Sequence, residues 1–178
     1  MQLVSNDAIY SDGDRYIPAT AVVNNLKAFL PAVNNVLVLG SGLCSMVQVM
    51  HGKGYYPHFT VVEKDKVVLR WAMEFFEPER LSKIDPVCID AQVFMERNTA
   101  RYDLVFVDVF NGRAVPGFVF STSFLRQCRA SLSDEGHLAF NYIIDDKEEW
   151  NTVKNNFSGV FPNYHILELG VNRILISS

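Results

Sequence analysis

Three acids and a pair of glycines are spaced as a nucleoside site would need them. Gly40 and Gly42 stand directly after the apolar run at 36–39 and just before a helix-period segment. The first can turn the chain sharply, and the second lets backbone approach a ligand with no Cβ in the way. The helix that follows offers free N–H groups at its start. Glu63 closes the next apolar run, about twenty residues on, where a carboxylate can hold both hydroxyls of a ribose. Each feature alone has a structural explanation, since many strand-to-helix turns use glycine and the third glycine of the dinucleotide fingerprint is Ser45 here. Together they point to a ribose-bearing cofactor. Asp90 follows a third apolar run and Asp108 ends a fourth, in FVDVFNG. Asp90 can equally cap the next helix, and Asp108 can equally brace its own loop through Asn111 and Gly112.

These residues need a scaffold that brings four loop starts to one edge. Apolar runs at 36–40, 59–63, 87–90, 103–109 and 137–143 are rich in Val, Ile and Phe, as strands buried on both faces should be. Helix-period segments alternate with them, which is the pattern of parallel strands joined by crossover helices. Residues 19–30 read as an amphipathic helix ending at Pro31. In KVVLRWAMEFF, Val67, Trp71 and Phe75 form one stripe, with Val68, Ala72 and Phe76 beside it, after Asp65 as N-cap. Ser121 to Ser123 offer caps for the segment carrying Phe124, Leu125, Cys128 and Leu132. Trp150, Val153 and Phe157 turn inward on a last helix that Gly159 stops. At the C-terminus, runs at 165–169 and 173–177 are joined only by Gly-Val-Asn. That link is too short for a crossover and demands an antiparallel hairpin. The fold class is therefore α/β: a Rossmann-like, seven-stranded, mostly parallel sheet with a C-terminal antiparallel hairpin and helices on both faces. Residues 1–17 read as a short N-terminal arm and 18–178 as a single domain.

Composition narrows the functional classes. Sixteen basic against twenty acidic residues give a formal charge of −4, with no basic run to track a phosphate backbone, so nucleic acid is not an expected partner. The apolar runs fall far short of the roughly 20 residues that a membrane-spanning helix needs. The N-terminal MQLVSNDAIYSDGDRY lacks a signal peptide's basic start and apolar core, and a cytoplasmic protein is expected. Cys44, Cys88 and Cys128 are widely spaced and read as reduced packing residues. His51, His58, His137 and His165 show no ligand spacing, so no metal site is expected.

A terminal hairpin on a parallel sheet resembles the class I S-adenosylmethionine-dependent transferases. More narrowly, VLVLGSGLCS, VVEKDKVVLRWAMEFF, CIDA, YDLVFVDVFNG and the upstream DGDRY resemble the spermidine synthase, or polyamine aminopropyltransferase, group of that superfamily. The likeness runs from about Asp12 to Ile143. It implies S-adenosylmethionine or its decarboxylated form as cofactor. Gly40, Ser41 and Gly42 would cradle the methionine-derived part, Glu63 would bind ribose with Lys64 beside it, and Asp90 with Ala91 would meet adenine. Asp108 would be the catalytic carboxylate, and Tyr16 and Asn111 would line the acceptor side. The resemblance further implies transfer of a methyl or aminopropyl group to a small, amine-containing acceptor, and a homodimer.

Three departures remove negative charge: Leu43 replaces the family's acid after the glycines, Asn111 its second loop acid, and Pro18 its glutamate two places beyond the tyrosine. A polyamine acceptor is multiply cationic, and a site selecting it must offset the desolvation of its ammonium groups. These losses leave a second reading open: a non-catalytic descendant that binds the nucleoside or a protein partner.

Overall fold

The computed structural model describes residues 3–5, 8–11 and 13–177. Asp12, which opens the DGDRY segment, lies outside the described residues. Strands β1 (Leu3–Ser5) and β2 (Ala8–Ser11) form a small antiparallel hairpin. The main sheet comprises β3 (Asn35–Leu39), β4 (His58–Glu63), β5 (Ile84–Cys88), β6 (Tyr102–Val107), β7 (Leu132–Ile143), β8 (Tyr164–Leu169) and β9 (Asn172–Ser177). Its spatial order is β5-β4-β3-β6-β7-β9-β8. The first five are parallel, and β9 runs antiparallel to both β7 and β8. This is the sheet expected from the alternating pattern and the short C-terminal link. The turn itself is tighter than Gly-Val-Asn: Gly170, at φ +60, and Val171 form it, and Asn172 already pairs with Leu169 and Ile143.

Alternation along each central strand divides the core into two layers. Val36, Val38, Leu104, Phe106, Ala139 and Ile174 face helices α1 (Ile17–Asn25), α2 (Ser45–Gly52) and α3 (Lys66–Met73). A short α4 (Pro78–Leu81) leads from α3 into β5. Leu37, Leu39, Val105, Val107, Phe140 and Leu175 face α5 (Ala91–Arg97), α6 (Thr122–Ala130) and α7 (Lys147–Val160). Burial on both faces explains why these strands read as continuous apolar runs. Helices α3, α6 and α7 are among those that begin on side-chain caps. Asp65 accepts from Val67 N and Val68 N, Ser121 from Phe124 N, and Asp146 from Glu149 N. Each satisfies amides that the first helical turn leaves without partners.

Several local expectations are corrected. Strand β5 begins at Ile84 and ends at Cys88, including Pro86, because it is an edge strand and tolerates a residue without an N–H. Helix α1 stops at Asn25, where paired asparagines weaken it. Leu132 belongs to β7, and α7 passes through Gly159 to end at Val160. On α3 the Val67, Trp71 and Phe75 stripe faces outward, while Leu69, Ala72 and Phe76 are buried. Cys88 is exposed, whereas Cys44 and Cys128 are buried; all three are free thiols. Among the described residues, no helix is long and apolar enough to cross a membrane.

Candidate active site

The carboxyl ends of β5, β4, β3 and β6 lie side by side and deliver Asp90, Glu63, Gly40 and Asp108 to one rim. That rim is where open α/β sheets take ligands. Gly40 has φ +75, and a Cβ there would sit 2.5 Å from the Asp108 carbonyl oxygen. Only glycine fits where the exits of β3 and β6 meet. The amides of Gly40 and Ser41 both donate to Val62 O, at 2.9 and 3.0 Å, which pins the loop against β4. Gly42 and Cys44 are also left-handed, at φ +49 and +59, just ahead of α2.

The Glu63 carboxylate closes this loop from below. Its Oε2 accepts from Gly42 N and its Oε1 from Asp65 N, both at 3.0 Å. Each oxygen keeps room for a second donor, so the side chain can accept sugar hydroxyls while still holding the loop. The Ser41 hydroxyl is buried and has no hydrogen-bond partner among the described residues. An orphaned buried hydroxyl beside a strand-end carboxylate fits a polar ligand lying on the loop. These residues therefore suit the nucleoside cofactor read from the sequence.

Asp90 Oδ1 accepts from Gln92 N at 2.8 Å and caps α5, the competing role foreseen for it. Ala91 is buried in the apolar layer that also holds Leu39 and Val62, so its side chain packs rather than lining the rim. Lys64 and Asn111 meet each other: the Lys64 ammonium donates to Asn111 Oδ1 at 2.6 Å. This bond runs from the exit of β4 to the loop after β6, which closes on itself through paired Asn111 and Ala114 backbones.

A partly buried polar cluster surrounds Asp108. Asp108 Oδ1 accepts from Asn141 Nδ2 at 2.7 Å and from the Tyr16 hydroxyl at 3.2 Å. Asn141 Oδ1 in turn accepts from Asn172 Nδ2 at 3.0 Å, which fixes the amide so that its NH₂ faces the carboxylate. Burial pushes the Asp108 carboxyl up to about 6, against the lowering effect of the bonds from Asn141 and Tyr16. Burial and the Asp108 charge hold the Tyr16 hydroxyl well above its ordinary range, so it remains a donor. Among the described residues Asp108 Oδ2 carries no hydrogen bond, leaving it able to take a proton near neutral pH.

Tyr16, Asp108, Gly40, Ser41, Gly42 and Glu63 thus assemble on one rim from separate segments of the chain. Sequence reasoning missed Asn141 and Asn172. The signal for the first was a lone amide inside the apolar strand run LAFNYI, which a strand buried on both faces carries only if it is partnered. Asn172 read as part of the hairpin turn.

No family model matches the chain. It is 33% identical over 120 residues to an N-terminal histidine N-methyltransferase of Emericella nidulans, covering 64% of this chain and 21% of that protein. It is 28% identical over 170 residues to a polyamine aminopropyltransferase of Vibrio vulnificus, covering 91% of this chain and 56% of that one. The chain thus spans about a fifth of the first relative's length and little more than half of the second's. In fold it is similar to human Methyltransferase-like protein 13 in complex with SAH, with TM-score 0.75 and 22% identity over 91% of this chain and 79% of that one. A probable spermidine synthase from Corynebacterium glutamicum gives TM-score 0.76 and 24% identity over 90% of this chain and 63% of that one. The resemblance to spermidine synthases and class I methyltransferases therefore holds in both sequence and fold.

Proposed function

We propose that the chain is a transferase that binds S-adenosylmethionine or its decarboxylated form along the β5-β4-β3-β6 rim and moves a methyl or aminopropyl group to a small amine. The carrying observation is Asp108: a carboxylate at the rim with one oxygen held by Tyr16 and Asn141 and the other unengaged among the described residues. When bound, the cofactor supplies a carbon already activated by its sulfonium. Glu63 would bind the ribose, Gly40, Ser41 and Gly42 the methionine-derived end, and Asp90 with the neighbouring Lys64 and Ala91 backbone the adenine side. Asp108 Oδ2 would accept the proton that the acceptor nitrogen gives up, and Tyr16 and Asn111 would border the acceptor. In-line positioning would provide most of the acceleration, with the base adding about 10²- to 10⁴-fold.

Leu43 favours a second reading, in which the nucleoside is bound without turnover. It stands where the related enzymes carry an acid, and it is buried in the apolar core, so its side chain offers the cofactor nothing polar. Asn111, engaged by Lys64, adds no charge either. Product analysis separates the cases. With an amine acceptor present, release of methylthioadenosine marks aminopropyl transfer and release of S-adenosylhomocysteine marks methyl transfer. Binding without either product supports the second reading.

A further inference from the structure

Lys64 carries its charge across the sheet. It leaves β4, yet its ammonium donates to Asn111 Oδ1 in the loop after β6, at 2.6 Å, and β3 lies between those two strands. The bond thus bridges the exit where Gly40, Ser41 and Gly42 turn. Its acceptor is a neutral amide, and among the described residues Lys64 forms no ion pair. The loop it reaches, residues 109–117, contains no acid and adds a second exposed cation, Arg113, on the turn that the Asn111 and Ala114 backbones close.

The carboxylates of the rim are engaged elsewhere. Glu63 holds the amides of Gly42 and Asp65, Asp65 and Asp90 cap α3 and α5, and Asp108 meets Tyr16 and Asn141. Asp145 and Asp146 follow β7, two strands from β3. Leu43, directly after the glycines, is buried in the apolar core. The β3 loop offers donors instead. Helix α2 starts without a side-chain cap, and the amides of Met46 and Val47 have no acceptor among the described residues. Ser41, whose buried hydroxyl also lacks a partner among those residues, forms the turn into α2, its carbonyl accepting from Cys44 N at 2.7 Å. Uncapped amides, an unengaged hydroxyl and two cations suit an anion.

We infer, resting on the nucleoside site proposed above, that Lys64 and the apolar Leu43 make this site select S-adenosylmethionine against its decarboxylated form. The two ligands differ in one carboxylate. With it, the amino-acid end is a zwitterion whose anionic half suits the α2 amides and the Lys64 charge; without it, that end is a bare ammonium. Beside Lys64 and Arg113, and with Leu43 offering no acid, the desolvation of that ammonium goes uncompensated. The group moved is then methyl. The lone pair of the acceptor nitrogen forms the new N–C bond, the S–C bond breaks with its electrons left on sulfur, and the nitrogen's proton goes to Asp108 Oδ2.

Isothermal titration of the 178-residue chain with each form tests this. S-adenosylmethionine should bind about tenfold or more tightly than the decarboxylated form. Lys64→Met should bring that ratio to within about threefold, and Asn111→Asp, which pairs the ammonium in place, should lower it by a smaller factor. A loosened loop would weaken both ligands together and leave the ratio unchanged, so the ratio isolates the charge. Circular dichroism checks that each variant is folded. Equal or tighter binding of the decarboxylated form overturns the inference while the nucleoside site stands. So does a ratio that neither variant moves. Binding of neither form removes the site and the inference together.

Discussion

Asn141 Nδ2 lies 2.7 Å from Asp108 Oδ1, across the boundary between β7 and the loop that leaves β6. The contact holds a carboxylate, raised by burial to about 6, at the sheet rim. A buried acid whose folded value exceeds its unfolded one contributes stability below its unfolded value near 3.8 and loses it as pH rises through about 6. Above that range the protein carries a charge that folding disfavours. Asp108→Asn keeps an acceptor for both Asn141 and Tyr16 and removes the charge. At pH 8 it should therefore be more stable in urea, by on the order of 1–2 kcal/mol, while turnover falls about 10²- to 10⁴-fold. Undiminished turnover in this variant would show that the base lies elsewhere.

The same bond sets the pH at which the base becomes competent. Activity should rise along a single acid limb centred near pH 6, where Asp108 ionises. Asn141→Leu removes a donor that lowers this value, so the limb should move to higher pH. Stability should drop by about 1–3 kcal/mol, the cost of leaving a buried polar group without its partner. Asn172→Ala should shift the limb in the same direction by less, since it only frees the Asn141 amide to turn. The readout is the pH–rate profile, and a limb unmoved in both variants would separate Asn141 from the chemistry.

His51 gives an independent acid response. Its ring is buried among Tyr56, Phe59 and Phe76, and among the described residues its Nδ1 has no hydrogen-bond partner. Burial, with Arg80 and Lys83 adding to it, pushes the imidazole down to about 4. A histidine depressed in this way contributes stability above its unfolded value near 6.5 and loses it as pH falls toward 4. His51→Leu should therefore flatten the loss of stability between pH 6.5 and 4 by roughly 2 kcal/mol, measured by urea denaturation along a pH series. Parallel curves for the two proteins would mean that His51 charges freely in the folded state.

Much of this architecture is written locally. The three-residue link between the last apolar runs permits nothing but a hairpin, and Gly40, Glu63 and Asp108 each end an apolar strand run, so their shared edge follows from parallel order alone. The polar support of Asp108 is not local. Asn141 sits 33 residues from its partner, and Asn172 reaches Asn141 only through strand register. The facing of α3 was equally hidden. Both of its adjacent rows are apolar, so periodicity identifies a helix without fixing its rotation, and packing of Leu69 and Ala72 on the sheet decides it. Pro86 disguised the start of β5, because the rule that excludes proline from strands relaxes at a sheet edge.

Every proposed step requires a nucleoside lying against the rim and held by Glu63. Isothermal titration with S-adenosylmethionine, its decarboxylated form and methylthioadenosine measures this most directly. Saturable one-site binding of at least one of the three is expected. The affinity should be about tenfold or more weaker in Glu63→Gln, whose amide can accept from only one of Gly42 and Asp65 and gives up a carboxylate oxygen to the sugar. Absence of binding by all three, or equal affinity in Glu63→Gln, would contradict it.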